Sequence, residues 1–207
     1  RALVAAAAGA ATRPRVLVSA SAVGYYGPRG DEPLDESADA GTGFLADVCR
    51  AWEREALAAE PLGLRVVRLR LGIVLANDGG ALARMLPPFR FFAGGPIGSG
   101  EQWMSWVHRD DVTGLVVDAL EKDAYSGAVN ATTPHPATNS DFAAALGRAL
   151  ARPAVLRTPA FALRLALGEM ADMLLTGQRV LPRVAEAHGY YWRYPELPAA
   201  LRASARL

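Results

Sequence analysis

Apolar and polar positions along this chain switch between two repeats. Residues 1–12 are Ala-rich and read as a helix that Pro14 stops. Val16-Leu-Val-Ser-Ala-Ser is a short apolar run of the buried-strand type. Gly24, Gly27, Pro28 and Gly30 mark an irregular loop, followed by an acidic stretch from Asp31 to Asp39. From Phe44 the apolar positions 44, 45, 48, 52 and 56 share a helical face, with Thr42 as cap and Gly63 as stop. Arg65 to Leu75 reads as one strand, and Asn77-Asp-Gly-Gly as a turn. Ala81 to Leu86 reads as a short helix ended by Pro87-Pro88, and Gly94 to Gly100 as a glycine-rich loop. Ser105-Trp-Val-His predicts a strand, and Asp110 caps a helix with 112, 115, 116, 119 and 120 inward. Ala128-Val-Asn-Ala-Thr predicts another strand, and Thr138 with Asp141 a capped helix. Residues 160–187 read as mostly helical with a break at Gly177, Tyr190 to Tyr194 as a strand, and Leu197 to Leu207 as a final helix. Strands alternating with helices predict an α/β fold with a mainly parallel sheet. The expected division is 1–137, with a substrate-lobe insertion near 80–108, and a helix-rich lobe at 138–207. Ligands of such sheets sit outside the carboxyl ends of the strands, which here are Ser19–Gly27, Gly72–Asn77 and Ala131–Pro136.

Composition narrows the picture. In 207 residues, 51% are hydrophobic and 21% charged, the balance of a globular chain with a sizeable core. A net charge of +1 offers no field for nucleic acid. No apolar run approaches the ~18 residues of a membrane span, and the opening residues do not read as a signal peptide. A cytoplasmic protein that takes a small-molecule substrate is expected, with its oligomeric state open. Cys49 is the sole cysteine, which excludes an internal disulfide and a Cys-based zinc site; it reads as a buried small hydrophobe. The three histidines are far apart, and no metal site is expected. Lys122 is the only lysine, so any mechanism that needs a lysine must use it.

Several segments carry a resemblance. Ser19-Ala-Ser-Ala-Val-Gly-Tyr-Tyr-Gly resembles the strand-end serine motif of extended short-chain dehydrogenases/reductases. Phe44-Leu-Ala-Asp-Val-Cys-Arg-Ala-Trp-Glu, Arg70-Leu-Gly-Ile-Val-Leu, Met85-Leu-Pro-Pro-Phe-Arg, Gly94-Gly-Pro-Ile-Gly-Ser-Gly-Glu-Gln and Trp106-Val-His-Arg-Asp-Asp resemble the atypical, epimerase-like branch often labelled nucleoside-diphosphate-sugar epimerase. Gly177-Gln-Arg-Val-Leu-Pro and Tyr194-Pro-Glu-Leu resemble that branch's C-terminal segment. The resemblance implies the C-terminal portion of a Rossmann-type parallel sheet with a small mixed substrate lobe, lacking an N-terminal dinucleotide-binding half. No opening strand with a Gly-x-x-Gly-x-x-Gly turn leading into a helix is read here. NADP is the implied cofactor, provided that half is present. The implied activity is that of an NADP(H)-linked oxidoreductase or epimerase-like protein, acting on a carbonyl, carbinol or nucleotide-sugar-like substrate.

The superfamily's Tyr-x-x-x-Lys dyad, in which the tyrosine moves a proton and the lysine tunes it, has no counterpart. The helix where it belongs begins Phe44-Leu-Ala-Asp-Val. The alternative is therefore a non-catalytic NADP(H)-binding sensor or scaffold. For catalysis the resemblance points to Ser21 as a hydrogen-bond partner of the substrate oxygen. Tyr25, or its neighbour Tyr26, is either a proton donor or an aromatic lid. Ser19, Gly72, Ile73 and Val74 are the expected cofactor contacts. Arg84, Gln102, Trp103 and His108 are the expected substrate contacts, with a lobe-fixing role as the other reading of His108. An arginine beside an aromatic is the arrangement expected to clamp an anionic or sugar group.

Overall fold

The computed structural model describes residues 1–205, the side chains of 167 and 169 aside. Helix α1 (Ala2–Gly9) leads to β1 (Val16–Ala22) and a 3-10 turn, Val23–Tyr26. Strand β2 (Pro33–Leu34), α2 (Phe44–Leu57), β3 (Arg65–Leu71) and β4 (Ile73–Leu75) follow. Next come α3 (Gly80–Arg90), β5 (Trp103–Met104), β6 (Trp106–His108), α4 (Arg109–Glu121) and β7 (Gly127–Ala131). The chain continues through β8 (Ala137–Thr138), α5 (Asn139–Leu150), α6 (Ala160–Leu167) and α7 (Asp172–Leu175). It ends with β9 (Arg179–Val180), α8 (Arg183–Ala187) and α9 (Leu197–Ser204).

The central sheet is parallel in the order β1-β3-β7, as its alternation with helices requires. Ser19 pairs with Arg68 and Ser21 with Arg70, while Arg70 pairs with Asn130. Alternate residues face opposite sides of a strand. One face therefore carries Val67, Leu69, Val129 and Ala131, which pack on Leu115 and Ala119 of α4. The other face changes character along its length. Its amino end is apolar, where Leu17, Leu64 and Val66 meet Ala56 and Ala59. Its carboxyl end carries Ser21, Arg70 and Asn130, all buried.

The strand expected over 65–75 is two strands. At Gly72 the chain leaves the central sheet and β4 pairs with β6 instead. The Gly72 N–H still bonds Ala131 O (3.0 Å) and the Ile73 N–H already bonds Ser105 O (2.7 Å). A Cβ on Gly72 would stand 2.5 Å from that same Ser105 oxygen. Only glycine lets the two ladders meet this closely.

Other expectations shift for physical reasons. Helix α2 buries Ala46, Cys49, Glu53 and Ala56, while Phe44 and Trp52 are 77% and 57% exposed. The buried face was set by where Glu53 finds its partners, not by apolar count. Gly43, not Thr42, is the N-cap of α2, and His108, not Asp110, is that of α4. Pro87 and Pro88 lie inside α3, where they still act as acceptors for the N–H groups of Phe91 and Ala93. Segment 190–194 is not a strand: the Arg193 and Tyr194 N–H groups bond the Asp111 carboxylate (2.6 and 3.1 Å). Segment 160–187 includes the short strand β9 after Gly177. The final helix reaches Ser204, and residues 206–207 lie outside the described residues.

A core cluster joins Leu75, Leu82, Met104 and Trp106 to Phe142, Leu146 and Leu201, so it draws on both sides of position 137/138. No helix among the described residues is long and apolar enough to cross a membrane. One spacing of dinucleotide type does occur after β1, at Gly24, Gly27 and Gly30. It opens no helix, because the chain passes from the 3-10 turn to β2, and so it lacks the helix N-terminus that would face a phosphate.

Replacing Gly72 by Ala should cost at least ~2 kcal/mol by overpacking against the Ser105 carbonyl. Urea denaturation measures this, and a loss below about 0.5 kcal/mol would show that the two ladders have slack.

Candidate functional site

Four donors converge on one carboxylate beneath the carboxyl end of the sheet. Glu53 Oε1 accepts from Ser21 Oγ (2.9 Å) and Arg70 Nε (2.8 Å). Glu53 Oε2 accepts from a terminal nitrogen of Arg70 (3.0 Å) and one of Arg68 (3.0 Å). Ser21, Glu53 and Arg70 are 3%, 4% and 2% exposed. Burial works to raise the Glu53 carboxyl, but the hydrogen bonds from Arg70 and Ser21 and the arginine charges outweigh it and hold it below the usual range.

The network continues outward. The other terminal nitrogen of Arg70 donates to the Tyr26 hydroxyl (2.8 Å), which donates to Asn130 Oδ1 (2.7 Å). Burial pushes the Tyr26 phenol up to about 12, so it remains a donor at neutral pH. The Arg70 guanidinium carbon lies 3.5 Å from the Tyr25 ring centroid. A salt-bridged guanidinium is a rigid plane, and Tyr25 rests on it at the end of β1.

A strap closes over the strand ends. Ser105 Oγ donates to Gln178 O (2.7 Å) and accepts from the Val180 N–H (2.9 Å). Asn130 Nδ2 donates to Leu181 O (3.0 Å). Val180 packs in a small cluster with Tyr26 and Leu34, flanked by Tyr25. Glu36 lies under the same strap, its Oε1 accepting from the Asn130 N–H (2.9 Å) and the Val184 N–H (3.3 Å). Its Oε2 is buried without a partner, and burial pushes this carboxyl up against those hydrogen bonds.

The residues singled out from the sequence fall into three groups. Ser19, Ser21, Tyr25 and Gly72 to Val74 do gather at the carboxyl ends of β1 and β3. Within that group the Ser21 proton is committed to Glu53, and the Gly72 and Ile73 amides to Ala131 and Ser105. Successive peptides of a strand point to opposite sides, so Val74 turns its N–H away from β6. Gln102 and Trp103 lie beside the strap. Gln102 Nε2 donates to Ile97 O and Leu174 O, and Trp103 Nε1 donates to Asp31 Oδ1 (2.7 Å).

The third group stands apart. Arg84 is an exposed residue of α3. His108 caps α4, its Nδ1 accepting from the Asp110 N–H (3.1 Å), with its ring 4.0 Å from that of Tyr194. Burial pushes the imidazole pKa down, so it is a neutral acceptor with a structural part. A hollow of about 650 Å³ between α4 and Tyr190–Arg193 is lined by none of the expected site residues. Glu53, Arg70 and Asn130 were missed by sequence reading. The available signal was Arg at alternate positions 68 and 70 of a strand that is otherwise apolar after Arg65, which demands a buried counter-charge.

Comparison with known proteins places this arrangement. Over 98% of this chain the fold matches the crystal structure of human epimerase family protein SDR39U1 (isoform2) with NADPH, at TM-score 0.92 and 38% identity, covering 69% of that chain. It matches the nucleoside-diphosphate sugar epimerase from Corynebacterium glutamicum at TM-score 0.77 and 34% identity, over 98% of this chain and 40% of that one. The fold is thus the Rossmann-like α/β fold of the epimerase and short-chain dehydrogenase class. An Arabidopsis thaliana relative, the chloroplastic epimerase family protein SDR39U1 homolog, is 48% identical over 194 residues, 94% of this chain and 56% of its own length. Residues 158–204 match a domain of unknown function, DUF1731. The chain belongs to the epimerase family of which SDR39U1 is a member, and spans little more than half the length of that plant relative.

Two changes test the network. Arg70→Met should cost about 3–5 kcal/mol, since it leaves Glu53 buried without its main partner, and adding Glu53→Leu should recover much of that loss. A loss in the double variant equal to the sum of the Arg70→Met and Glu53→Leu losses would show that the pair is not coupled. A carboxyl raised in the folded state contributes stability below its unfolded pKa of about 4.3 and loses it as pH rises through the folded value. Wild type should therefore gain on Glu36→Gln as pH falls from neutral toward about 4. A pH-independent difference in melting temperature would contradict this assignment of Glu36.

Proposed function

We propose that this chain forms the nicotinamide and substrate side of an NADP(H)-linked oxidoreductase or epimerase-like protein. The observation that carries the reading is Tyr25, held on the Arg70 guanidinium at the carboxyl ends of β1 and β3. Ligands of parallel sheets are bound at those ends. The human relative crystallised with NADPH shares this chain's fold at TM-score 0.92. The residues fit the nicotinamide end of such a cofactor: Val74 offers a peptide turned away from its partner strand, Ser19 lies one step back on β1, and Gly72 adds no bulk. They do not supply a pyrophosphate cradle, because Gly24, Gly27 and Gly30 open no helix. We assign that end of the cofactor to groups other than these residues.

Bound NADP(H) would supply or accept a hydride at a carbonyl or carbinol carbon. Tyr25 would give or take the proton at the substrate oxygen. Arg70 would fix the phenol's ring plane in place of the absent lysine, and the strap with Trp103 would cover the substrate and exclude water. Ser21 would serve through Glu53, as a support of Arg70, because its proton already has an acceptor. That commitment, with an exposed Phe44 opening the helix expected to carry the dyad, also favours a second reading: a protein that binds NADP(H) without turnover.

NADPH oxidation with a panel of carbonyls and nucleotide sugars separates the two. Under the first reading Tyr25→Phe lowers kcat by about 100-fold or more, the usual worth of a positioned proton donor, and leaves NADPH affinity within a few-fold. Tight NADPH binding with no turnover on any substrate supports the second. Absence of NADPH binding, both in this chain and in a version extended at the N-terminus, would refute both.

A further inference from the structure

Arg179 has no acidic partner among the described residues. It lies half-buried on β9, and its Nε is buried with no acceptor among the described residues. Among the described residues its guanidinium lies against Trp103, whose ring centroid is 4.8 Å from the guanidinium carbon. Both members of this stack are held from behind. Asp31 fixes the indole through Trp103 Nε1 (2.7 Å). The backbone of Arg179 pairs with Pro33, and Ser105 bonds the residues on either side of it, at Gln178 O and the Val180 N–H. The pair is ordered, yet the buried Nε–H of Arg179 has no acceptor among the described residues.

A guanidinium cannot shed its proton to escape this situation. Buried donors without acceptors are rare in folded proteins and cost free energy. Other arginines of the region pair with an acid: Arg68 and Arg70 share Glu53, although Arg68 Nε is, like that of Arg179, buried without an acceptor. No carboxylate among the described residues reaches ion-pair distance of Arg179, and the nearby Asp31 gives its Oδ1 to the indole. Stacking on Trp103 covers one face of the guanidinium and leaves its edge, where all five N–H bonds point, for a planar or tetrahedral oxyanion. Val180, one residue along the strap, packs against Tyr26 beside Tyr25, while Arg179 projects from the other side of the strand, where Trp103 meets it.

We propose that Arg179, stacked on Trp103, is an anion subsite of the strap and takes two oxygens of a substrate carboxylate or phosphoryl group. This replaces the surface arginine expected from the sequence, Arg84, with one from the C-terminal strap. It rests on the functional reading above for what the anion is attached to, but the subsite itself stands on the geometry of the Arg179–Trp103 pair. The class of substrate that follows is anionic, with its charge at the strap and its reacting oxygen at Tyr25.

The test follows the Arg179 Nε–H resonance by NMR during titration of the full 207-residue chain with inorganic pyrophosphate and, separately, with malonate. The resonance is assigned by its loss in Arg179→Lys. At least one probe should shift it saturably, and the tighter probe distinguishes a phosphoryl from a carboxylate source. Affinity for that probe by calorimetry should fall about tenfold or more in Arg179→Gln, and less in Arg179→Lys, which keeps the charge but not the fork. Because the Arg179 side chain has no hydrogen-bond partner among the described residues, neither variant should melt markedly below wild type. Unchanged affinity in Arg179→Gln, or no shift of the Nε–H with either probe, would overturn the proposal. NADPH binding is measured in parallel: its survival in Arg179→Gln leaves the cofactor reading intact whatever the anions do, and its absence from both the wild-type chain and the extended version sinks that reading without touching the subsite.

Discussion

The buried contact between Glu53 and Arg70 governs how the rest of the molecule is arranged. Neither charge is tolerable alone at this depth, since removing an ion from water costs several kcal/mol even after relaxation. Each is matched: the two oxygens of Glu53 together accept from Ser21, Arg68 and Arg70, and Arg70 adds a bond to Tyr26. The match joins elements far apart in sequence. It decides which face of α2 lies on the sheet, leaving Trp52 outside and Glu53 inside. It also fixes the turn after β1, because Tyr25 and Tyr26 both lean on the same guanidinium.

A second constraint acts beside it. The chain must leave the central sheet at Gly72 to build the β4–β6 ladder, and the crossing is narrow enough that Ser105 serves both sides. Its carbonyl accepts from Ile73 and its hydroxyl grips the strap at Gln178 and Val180. The strand exchange and the covering strap are therefore mechanically one feature. Tyr25 lies between the two constraints, with Arg70 under its ring and the Val180 cluster at its side.

Much of this was legible in the sequence, and the misses share a cause. Strand–helix alternation identified the parallel sheet, and the capped start at Thr138 is found with its Asp141 N–H bond (3.1 Å). These depend on local periodicity, which a single segment displays. Helix α2 misled because its apolar residues lie on two faces, and the choice between them was made by arginines on another strand. Tyr190 to Tyr194 misled because aromatic composition suggests a strand, whereas its amides answer to Asp111 of α4. Arg179 went unread as a ligand because nothing in Gly-Gln-Arg-Val-Leu-Pro says that Trp103 lies against it. Legibility ended wherever a polar group's partner was more than one element away.

The missing dyad takes on a different meaning in this setting. In a Tyr-x-x-x-Lys pair one helix carries both the phenol and the cation, so their spacing is set by helical geometry. Here the phenol of Tyr25 comes from a 3-10 turn and the cation from the middle layer of the fold, on β3. An arginine in this role cannot deprotonate in the working range, and its fork is already filled by Glu53 and Tyr26. It can orient a neighbouring ring but cannot relay a proton. Any proton that Tyr25 handles must therefore be exchanged with the substrate side or with water, not passed inward through Arg70. The hydrogen-bond chain through Tyr26 and Asn130 points the same way, because it ends on a backbone carbonyl, Leu181 O. The buried network is scaffolding, and under the proposed function the proton chemistry falls to Tyr25 and whatever lies on its open side.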